Sequence, residues 1–241
     1  MKVYLSSPYE YVERAYQRQK FVHGAGLPVP AVYGLKRLSE TKTALEMEYI
    51  EGKPLVAMYE GRGEEMLAQA QRVMVELQCR MNAVDAGGCT FLPPLTDMYA
   101  HEITATPYLT DQQKQALLAL MSRLDTGKTN LCHGDIHPHN ILYNGEKSWI
   151  IDWEDASRGD PAADACMTYF YAMRWAAKGG NRSDEQYLRL FCAESCIAPE
   201  KVLAWLPVIA GVQVNIQDEE DRAYIERFIN EWYRSAQPCV H

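Results

Sequence analysis

Eight consecutive residues near the middle of the chain, HGDIHPHN at positions 133–140, concentrate side chains that can do chemistry. They include three imidazoles, the carboxylate of Asp135 and the carboxamide of Asn140. Imidazole nitrogens suit zinc, whereas carboxylate and amide oxygens suit Mg²⁺. Taken alone, the stretch fits either a histidine metal cluster or a loop that moves a proton and holds a hard cation through part of itself.

The residues after this stretch predict a β-hairpin that would bring polar groups together. Two short apolar runs flank Asn144 and Gly145, a pair typical of tight hairpin turns. Because a hairpin brings its outer ends together, we expect Asn140 to lie beside Asp152, which follows the second run. Asp135 precedes Asn140 by five positions, so two carboxylates and a carboxamide would converge on one spot.

These residues resemble the motif pair of the aminoglycoside phosphotransferase and choline kinase-like family, small-molecule kinases with a protein-kinase-like fold. The pair consists of His133-Gly-Asp135 with Asn140, followed by Ile-Ile-Asp152. The similar blocks begin at Lys2 and end in the segment after Asp152, and the C-terminal third is similar only in being helical. Three flanking segments add to the resemblance: LPVPAVYGL (27–35), LEMEYIEGKPL (45–55) and RGDPAADA (158–165).

The resemblance implies a phosphotransferase that moves the γ-phosphate of ATP or GTP to a hydroxyl of a small molecule, with Mg²⁺ as a cofactor. Asp135 would be the catalytic base, and Asn140 and Asp152 would be the Mg²⁺ ligands. His133 would brace the loop, and His137 would lie near the transferred phosphate.

The resemblance also implies where the nucleotide would bind. Lys2 would contact its phosphates. A strand and the linker after it would meet the edge of the base, mostly through backbone groups, and two apolar side chains would form the floor beneath it. These residues are Met47, Glu48, Tyr49 and Ile50 at the edge, with Leu142 and Ile151 on the floor.

Two departures from the family pattern concern the surroundings of Lys2. In the family, two strands and a loop that covers the nucleotide precede this lysine, and we expect them to be missing because the similarity starts at Lys2. The helix glutamate that pairs with the lysine falls at Ala15, and Glu13 lies about 200° around the helix from that position. Both departures predict weaker positioning of ATP, on which phosphoryl transfer mainly depends. A nucleotide-binding protein with weak or no transfer, like a pseudokinase, is therefore an alternative interpretation.

A zinc hydrolase is a further alternative. It would explain why the stretch carries His137 and His139 in addition to His133, since imidazole suits zinc. It leaves Asp152, and the hairpin spacing that brings it close, unexplained. The kinase interpretation explains Asp152 and treats His139 as an ordinary loop residue.

The acceptor is left open by the sequence. Glu154 and Asp155 follow the predicted metal ligand, and they either border the acceptor site or lie in a solvated loop. Asp218 and Glu219 begin an acidic run that either binds amino groups or starts a helix, where acidic residues are favoured. The net charge of −8 would help to steer a cationic acceptor to the protein.

Composition limits the other classes of function. The 241 residues carry no basic stripe, which argues against nucleic-acid binding. No run approaches about 18 uninterrupted apolar residues, and the first residues lack the apolar stretch of a signal peptide. We therefore expect a cytoplasmic protein without membrane spans, and the seven scattered cysteines suit reduced thiols in that compartment. The oligomeric state is left open.

The order of elements predicts an α+β fold with two lobes. Residues 1–52 would form a truncated small lobe of β-strands and one helix, which binds the nucleotide. Residues 53–241 would form a large, mainly helical lobe for catalysis and acceptor binding, with the hairpin inside it. Thr110 and Gln113 predict a capping box at the start of one of its helices. The segment 93–108 is expected to be irregular.

Overall fold

The computed structural model describes residues 1–5, 7–178 and 183–236. Within these ranges the fold is α+β, which confirms the prediction from the order of elements. Short antiparallel strands are concentrated near the N-terminus and around the 133–140 stretch, and helices make up most of the rest.

A small antiparallel sheet lies near the N-terminus. Its strands are β1 (Lys2–Leu5), β2 (Val32–Ser39) and β3 (Lys42–Met47). The strand order is β1-β3-β2, so β3 is central, and Lys2 pairs with Leu45 across the sheet. Helix α1 (Tyr9–Gly24) connects β1 to β2 and packs against the sheet.

Helix α1 takes part in two separate cores. Its first half contributes Val12 and Ala15 to a small cluster with Tyr4 and Leu45. Its last turns and the segment after it contribute to the main core of the molecule through Val22, Leu27 and Val29. The helix therefore connects the small sheet to the main core, and a shift of α1 would be felt in both.

Five short strands surround the 133–140 stretch. They are β4 (Lys53–Pro54), β5 (Asn130–Cys132), β6 (Ile141–Tyr143), β7 (Ser148–Ile150) and β8 (Ser157–Gly159). Strands β6 and β7 form the predicted hairpin, with Ile141 opposite Ile150, and β4 pairs with the other edge of β6. Strand β5 pairs with β8, with Cys132 opposite Ser157. The stretch is therefore fixed at both ends, by β5 before it and β6 after it.

Helices pack around these strands. They are α2 (Glu64–Asn82), α3 (Leu95–Ala105), α4 (Asp111–Leu124), α5 (Pro161–Ala177), α6 (Ser183–Ser195), α7 (Pro199–Leu203), α8 (Leu206–Gln213) and α9 (Glu219–Ala236). Their apolar faces meet in one core, whose largest fully buried side chains include Trp153, Trp205, Tyr187, Phe170 and Phe191. Such burial is the main source of stability in a domain of this size.

Two local predictions have opposite outcomes. The capping box at the start of α4 is confirmed: Thr110 Oγ1 accepts a bond from the Gln113 amide, and the Thr110 amide donates to the Gln113 side chain. The expectation of an irregular segment at 93–108 is wrong, because α3 occupies most of it. The helix is stabilised by tertiary packing of residues one turn apart, such as Leu95 and Tyr99, against the main core.

Within the described ranges, no single helix is both long and apolar enough to cross a membrane. The segments Ser183–Ser195 and Pro199–Gln213 meet the criteria of length and composition together, with a bend of 119° between them.

Candidate active site

The 133–140 loop is anchored to the main core through its backbone. Gly134 has a φ of 82°, and a Cβ there would lie 2.8 Å from the Asp155 carbonyl oxygen, so glycine is required. The Gly134 amide donates to Oδ1 of Asp164 in α5 at 2.8 Å. The other oxygen of Asp164 accepts from Asn82 at 3.1 Å and from Gln78 at 3.2 Å, both in α2. A fully buried carboxylate thus joins the loop to two helices.

His133 is a bracing residue in this geometry. Its ring is fully buried against Trp153, with the ring centroids 4.8 Å apart. Nε2 lies 3.0 Å from the Ile151 carbonyl oxygen, and Nδ1 accepts from the Asp135 amide at 3.2 Å. Burial lowers the pKa of His133, so the imidazole is neutral at pH 7 and its single N–H donates to Ile151. Both ring nitrogens are therefore occupied by the backbone.

Asp135 and Asn140 are in direct contact. The Asn140 amide nitrogen donates to Oδ2 of Asp135 and to the Asp135 carbonyl oxygen, both at 2.9 Å. His137 Nε2 lies 3.5 Å from the same carboxylate oxygen. The carboxylate is therefore fixed by side chains of its own loop.

The surroundings of Asp135 keep its carboxyl group ionised. Burial raises its pKa, but the hydrogen bond and charge of His137 and a hydrogen bond from Tyr171 outweigh burial. The pKa therefore lies below its ordinary value. At neutral pH the group is a carboxylate, which can accept a hydrogen bond from a hydroxyl.

Asp152 lies next to Asn140 across the hairpin, as the sequence predicts. The Ile151 amide donates to the Asn140 carbonyl oxygen at 2.9 Å, and Asp152 follows with a left-handed φ of 66°. Its Oδ1 accepts from Lys2 Nζ at 2.8 Å. The side-chain nitrogen of Asn140 donates to Asp135, so the side-chain oxygen is the atom that could hold a cation. One amide oxygen and one carboxylate suit Mg²⁺, which commonly takes its other ligands from phosphates and water.

The histidines do not form a zinc centre in the part of the chain that the structure describes. No group of three or more His, Cys, Asp or Glu side chains there is arranged to hold a metal ion. His133 is engaged by backbone groups, and the rings of His137 and His139 meet edge to face at 5.8 Å. Nothing in this geometry favours a zinc hydrolase.

The residues predicted to bind a nucleotide all line one cavity of about 320 Å³ beside Asp152. The Glu48 amide donates to the Ala31 carbonyl at 2.8 Å, and its carboxylate accepts from the Ala31 amide at 3.0 Å. Contacts to a base would therefore come from the Glu48 carbonyl or from the linker after it. The lining residues of the prediction are Lys2, Met47, Glu48, Tyr49, Ile50, Leu142 and Ile151.

A second cavity, of about 630 Å³, reaches Asp135 and His137 from the helical side. Its walls are mostly apolar and aromatic, and Tyr171 and Trp175 of α5 contribute to them. Trp175 is 63% exposed, so a large indole surface is available to a ligand. A hydroxyl compound in this cavity would have access to the carboxylate of Asp135.

Glu154 and Asp155 lie away from this second cavity. Glu154 lines the cavity of Lys2, where its carboxylate pairs with Lys2 and accepts from the Tyr11 hydroxyl. Both Glu154 and Asp155 line a third cavity, of about 750 Å³, between α1 and α3. Tyr171 lies in the walls of both the second and the third cavities.

Asp218 and Glu219 lie at the start of α9 and outside the described linings of these three cavities. Oδ1 of Asp218 accepts from the Asp221 amide at 2.9 Å, and Oδ2 lies 3.6 Å from Lys178. Glu219 lies 3.8 Å from Arg222, and its side chain is 90% exposed. The observed contacts are those of a helix start, and binding of an acceptor by these residues stays a prediction.

Several supporting residues were not found by sequence reasoning. Asp164 lies within the RGDPAADA segment, but no spacing rule indicates that it binds a backbone amide thirty positions earlier. Tyr11 and Arg18 lie in α1 and contact Glu154, more than a hundred positions later. Tyr171 is one of two tyrosines in α5, and nothing in the sequence distinguishes it from Tyr169. Non-local contacts of this kind leave no local signal.

Comparisons with known proteins agree with this geometry. The family model described as "Phosphotransferase enzyme family" (APH) matches residues 1–205. The search of curated proteins found no significant match.

Solved structures of aminoglycoside phosphotransferases share the fold. The 3'-phosphotransferase of type VIII is 20% identical, with 88% of this chain and 83% of that chain covered and a TM-score of 0.63. The apo form of a thermostable mutant of APH(4)-Ia is 18% identical, with 92% of this chain and 83% of that chain covered and a TM-score of 0.67. APH(3'')-Id from Streptomyces rimosus ATCC10970, in complex with ADP and streptomycin, is 20% identical, with 88% of this chain and 85% of that chain covered and a TM-score of 0.64. At these identities the likeness shows a common kinase-like fold, and with the family match over residues 1–205 the chain belongs to the phosphotransferase enzyme family.

Proposed function

We propose that this protein transfers the γ-phosphoryl group of ATP or GTP to a hydroxyl of a small molecule, with Mg²⁺ as a cofactor. One observation carries the proposal. Asp135, which lines the aromatic cavity, is in contact with Asn140, and Asn140 lies beside Asp152, which lines the cavity of the predicted nucleotide residues. A phosphoryl donor held near Asp152 and an acceptor held near Asp135 could thus meet at this cluster.

In the proposed reaction, Asp135 accepts a hydrogen bond from the acceptor hydroxyl and orients its oxygen toward the γ-phosphorus. A bond forms between this oxygen and phosphorus, and the bond from phosphorus to the β–γ bridging oxygen breaks. The hydroxyl proton passes to Asp135, and the nucleoside diphosphate leaves. The low pKa of Asp135 makes it a weak base, so its main contribution is orientation.

The charges of the phosphates would be met from the nucleotide side. Asn140 and Asp152 are the proposed Mg²⁺ ligands, and Lys2 is the proposed contact to the phosphates. When bound, Mg²⁺ would neutralise charge that develops on the phosphate oxygens. His137 remains close to Asp135 and is proposed to lie beside the transferred group.

The proposal divides the chain between the two substrates. Residues 1–52 would form the nucleotide-binding lobe, and residues 53–241 would carry catalysis and acceptor binding. The small core around Leu45 and the pairing of β4 with β6 support a division close to residue 52. A cytoplasmic location would give the enzyme its nucleotide.

The aromatic cavity limits the acceptor. Among its described lining residues are the carboxylates of Glu60 and Asp135 and no Lys or Arg side chain. An anionic acceptor would therefore be disfavoured by charge. A neutral or cationic hydroxyl compound with an apolar part suits the Trp175 and Tyr171 rings, since aromatic faces attract cations.

The test is a phosphotransfer assay with Mg²⁺ and ATP or GTP over a panel of hydroxyl compounds. The panel contains aminoglycosides such as hygromycin B and streptomycin, amino alcohols such as choline, and sugars. Asp135→Asn should lower kcat by about 10²–10⁴-fold while nucleotide affinity is kept, because only the contact to the hydroxyl is lost. Glu146→Gln, the same change of a carboxylate to an amide at an exposed residue of the β6–β7 turn, is the matched control and should leave kcat within about twofold.

The alternatives have distinct outcomes in the same experiment. Nucleotide binding without turnover over the whole panel would favour a pseudokinase-like binding protein. Zinc at one equivalent in the purified protein, lost on His137→Ala, would favour a hydrolase. Full activity of Asp135→Asn would refute the assigned role of Asp135.

A further inference from the structure

We propose that Glu154 is a positioning residue for Lys2. It replaces the glutamate that the family resemblance leads us to expect in α1, where this chain has Ala15. The inference rests on the proposed function, because it concerns the side chain that would contact the phosphates. It also gives Glu154 a role on the nucleotide side, whereas sequence reasoning considered it for the acceptor.

The carboxylate of Glu154 connects the small sheet to helix α1. One oxygen, Oε1, accepts from Lys2 Nζ on β1. The other, Oε2, accepts from the Tyr11 hydroxyl on α1 at 2.6 Å. The Glu154 side chain is only 24% exposed, so the ion pair is partly shielded from water. A carboxylate with a donor on each oxygen has little freedom to rotate, and Lys2 is therefore held in one direction.

Helix α1 contributes a hydroxyl where a carboxylate is expected. Ala15 lies one turn after Tyr11 and is buried in the small core with Tyr4, Val12 and Leu45. Its methyl group cannot bind an ammonium group. Tyr11 instead reaches Glu154, so α1 acts on Lys2 through an intermediate carboxylate.

Glu13 does not provide the missing pair. Within the described residues, no hydrogen bond or ion pair joins Glu13 to Lys2, whose ion-pair partners are Asp152 and Glu154. This agrees with the expected orientation of Glu13, about 200° around the helix from position 15.

The backbone of Glu154 is also fixed by α1. The guanidinium of Arg18, two turns after Tyr11, donates to the Glu154 carbonyl oxygen. Trp153, the residue before Glu154, donates from its indole to the Ile150 carbonyl at 3.2 Å. The short helical turn Trp153–Asp155 is thus held from both sides, which makes the position of its glutamate reproducible.

The arrangement separates two tasks that Asp152 would otherwise share. Lys2 lies between Asp152 and Glu154. If Glu154 were absent, Asp152 would be the remaining ion-pair partner of Lys2 in the described structure, although it is also the proposed Mg²⁺ ligand. With Glu154 present, Lys2 would keep an ion-pair partner if Asp152 held Mg²⁺.

The test compares Glu154→Gln with Glu13→Gln, a matched change of a carboxylate in α1. Glu154→Gln should raise the nucleotide KM about tenfold, because a hydrogen bond between charged groups is lost. The acceptor KM should stay unchanged, and Glu13→Gln should behave like the wild-type protein. In a Lys2→Met background, Glu154→Gln should have almost no further effect, because Glu154 acts through Lys2.

A reversal adds a second readout. Ala15→Glu in the Glu154→Gln variant should recover part of the nucleotide affinity, because a carboxylate is returned to α1 near Lys2. Thermal unfolding of every variant shows whether the fold is kept, and kinetic constants are compared only among folded variants. Glu154→Asp retains the charge on a shorter side chain. Its nucleotide KM should therefore lie between those of Glu154→Gln and the wild-type protein.

The results separate this inference from the proposed function. Wild-type transfer with an unchanged nucleotide KM in Glu154→Gln would overturn the inference and leave the function standing. A rise in acceptor KM alone, or additive effects of Lys2→Met and Glu154→Gln, would also overturn it. Failure of the wild-type protein to bind a nucleotide or transfer phosphate would refute the proposed function and the inference with it.

Discussion

Asp164 and Glu154 are both carboxylates that hold a part of the candidate site, but their partners differ. Asp164 is 1% exposed and accepts from neutral groups, the Gly134 amide and two side-chain amides. Glu154 is partly exposed and pairs with the ammonium group of Lys2 and the hydroxyl of Tyr11. One fixes a loop within the large helical core, and the other fixes a side chain between β1, α1 and the turn after Asp152.

The two kinds of contact should differ in what they contribute to stability and in how they respond to salt. Buried hydrogen bonds from dipoles are little affected by salt, and losing their acceptor leaves several groups unsatisfied. Partly exposed ion pairs are weakened by salt and contribute little to stability. The 133–140 loop should therefore stay in place at salt concentrations that weaken the ion pair between Lys2 and Glu154.

Asp164→Ala tests the first half of this comparison and should have the largest effect. Three buried donors lose their acceptor, so the free energy of unfolding should fall by about 4 kcal/mol. Transfer activity should fall as well, because the Gly134 amide loses the acceptor that holds the loop in place. Urea unfolding followed by fluorescence measures the change. Asp164→Asn, which keeps one acceptor oxygen, should lose less, and Glu154→Gln should lose under about 1 kcal/mol. Equal losses for Asp164→Ala and Glu154→Gln would refute the comparison.

Asp221→Asn extends the comparison to a buried carboxylate held by cations. Asp221 in α9 binds Arg174 and, at 2.9 Å, Lys178. Burial raises its pKa, but these two cations lower it by more than burial raises it. The pKa of Asp221 in the folded protein therefore lies below the unfolded value. Its contribution is therefore present above about pH 4 and lost as the pH falls through the folded pKa.

The variant should be less stable than the wild-type protein by about 1–2 kcal/mol at pH 7, after allowance for the solvent at this site. At pH 3 the difference should shrink, because the Asp221 carboxyl group is protonated in the unfolded wild-type protein and folding must then release that proton. Urea midpoints at the two pH values measure this change. A difference of the same size at both pH values would show that the ion pairs do not stabilise the folded state.

The sequence predicts best what depends on neighbouring residues. Asp135, Asn140 and Asp152 could be brought together on paper, because a hairpin with an Asn-Gly turn relates them by simple geometry. The α4 capping box depends on two residues three positions apart. Helix α3 was missed because its stability comes from contacts of Leu95 with the main core, which no local pattern reveals.

The role of Glu154 illustrates where prediction from sequence ends. Its position two residues after Asp152 could be read, but its partners Lys2 and Tyr11 are about 150 positions away. Which cavities it reaches depends on how α1 packs over the turn. Glu154 lines both the cavity of Lys2 and the third cavity, whereas Asp155, the next residue, lines the third cavity and not that of Lys2. The roles of adjacent residues in a turn therefore require the fold.

Thr110→Ala sharpens the comparison from outside the site and should have the smallest effect. The Thr110 hydroxyl caps α4 through the Gln113 amide at 3.3 Å, a local contact outside the linings of the described cavities beside Asp135 and Lys2. Loss of an N-cap typically lowers the free energy of unfolding by about 1 kcal/mol, and Thr110→Ser should keep most of this stability because serine also caps. Kinetic constants of both variants should equal those of the wild-type protein, because α4 holds neither the 133–140 loop nor Lys2. Thr110→Ala leaves the contact between Gly134 and Asp164 intact. If it nevertheless lowered kcat, general destabilisation rather than the contacts of Asp164 would explain the activity loss of Asp164→Ala.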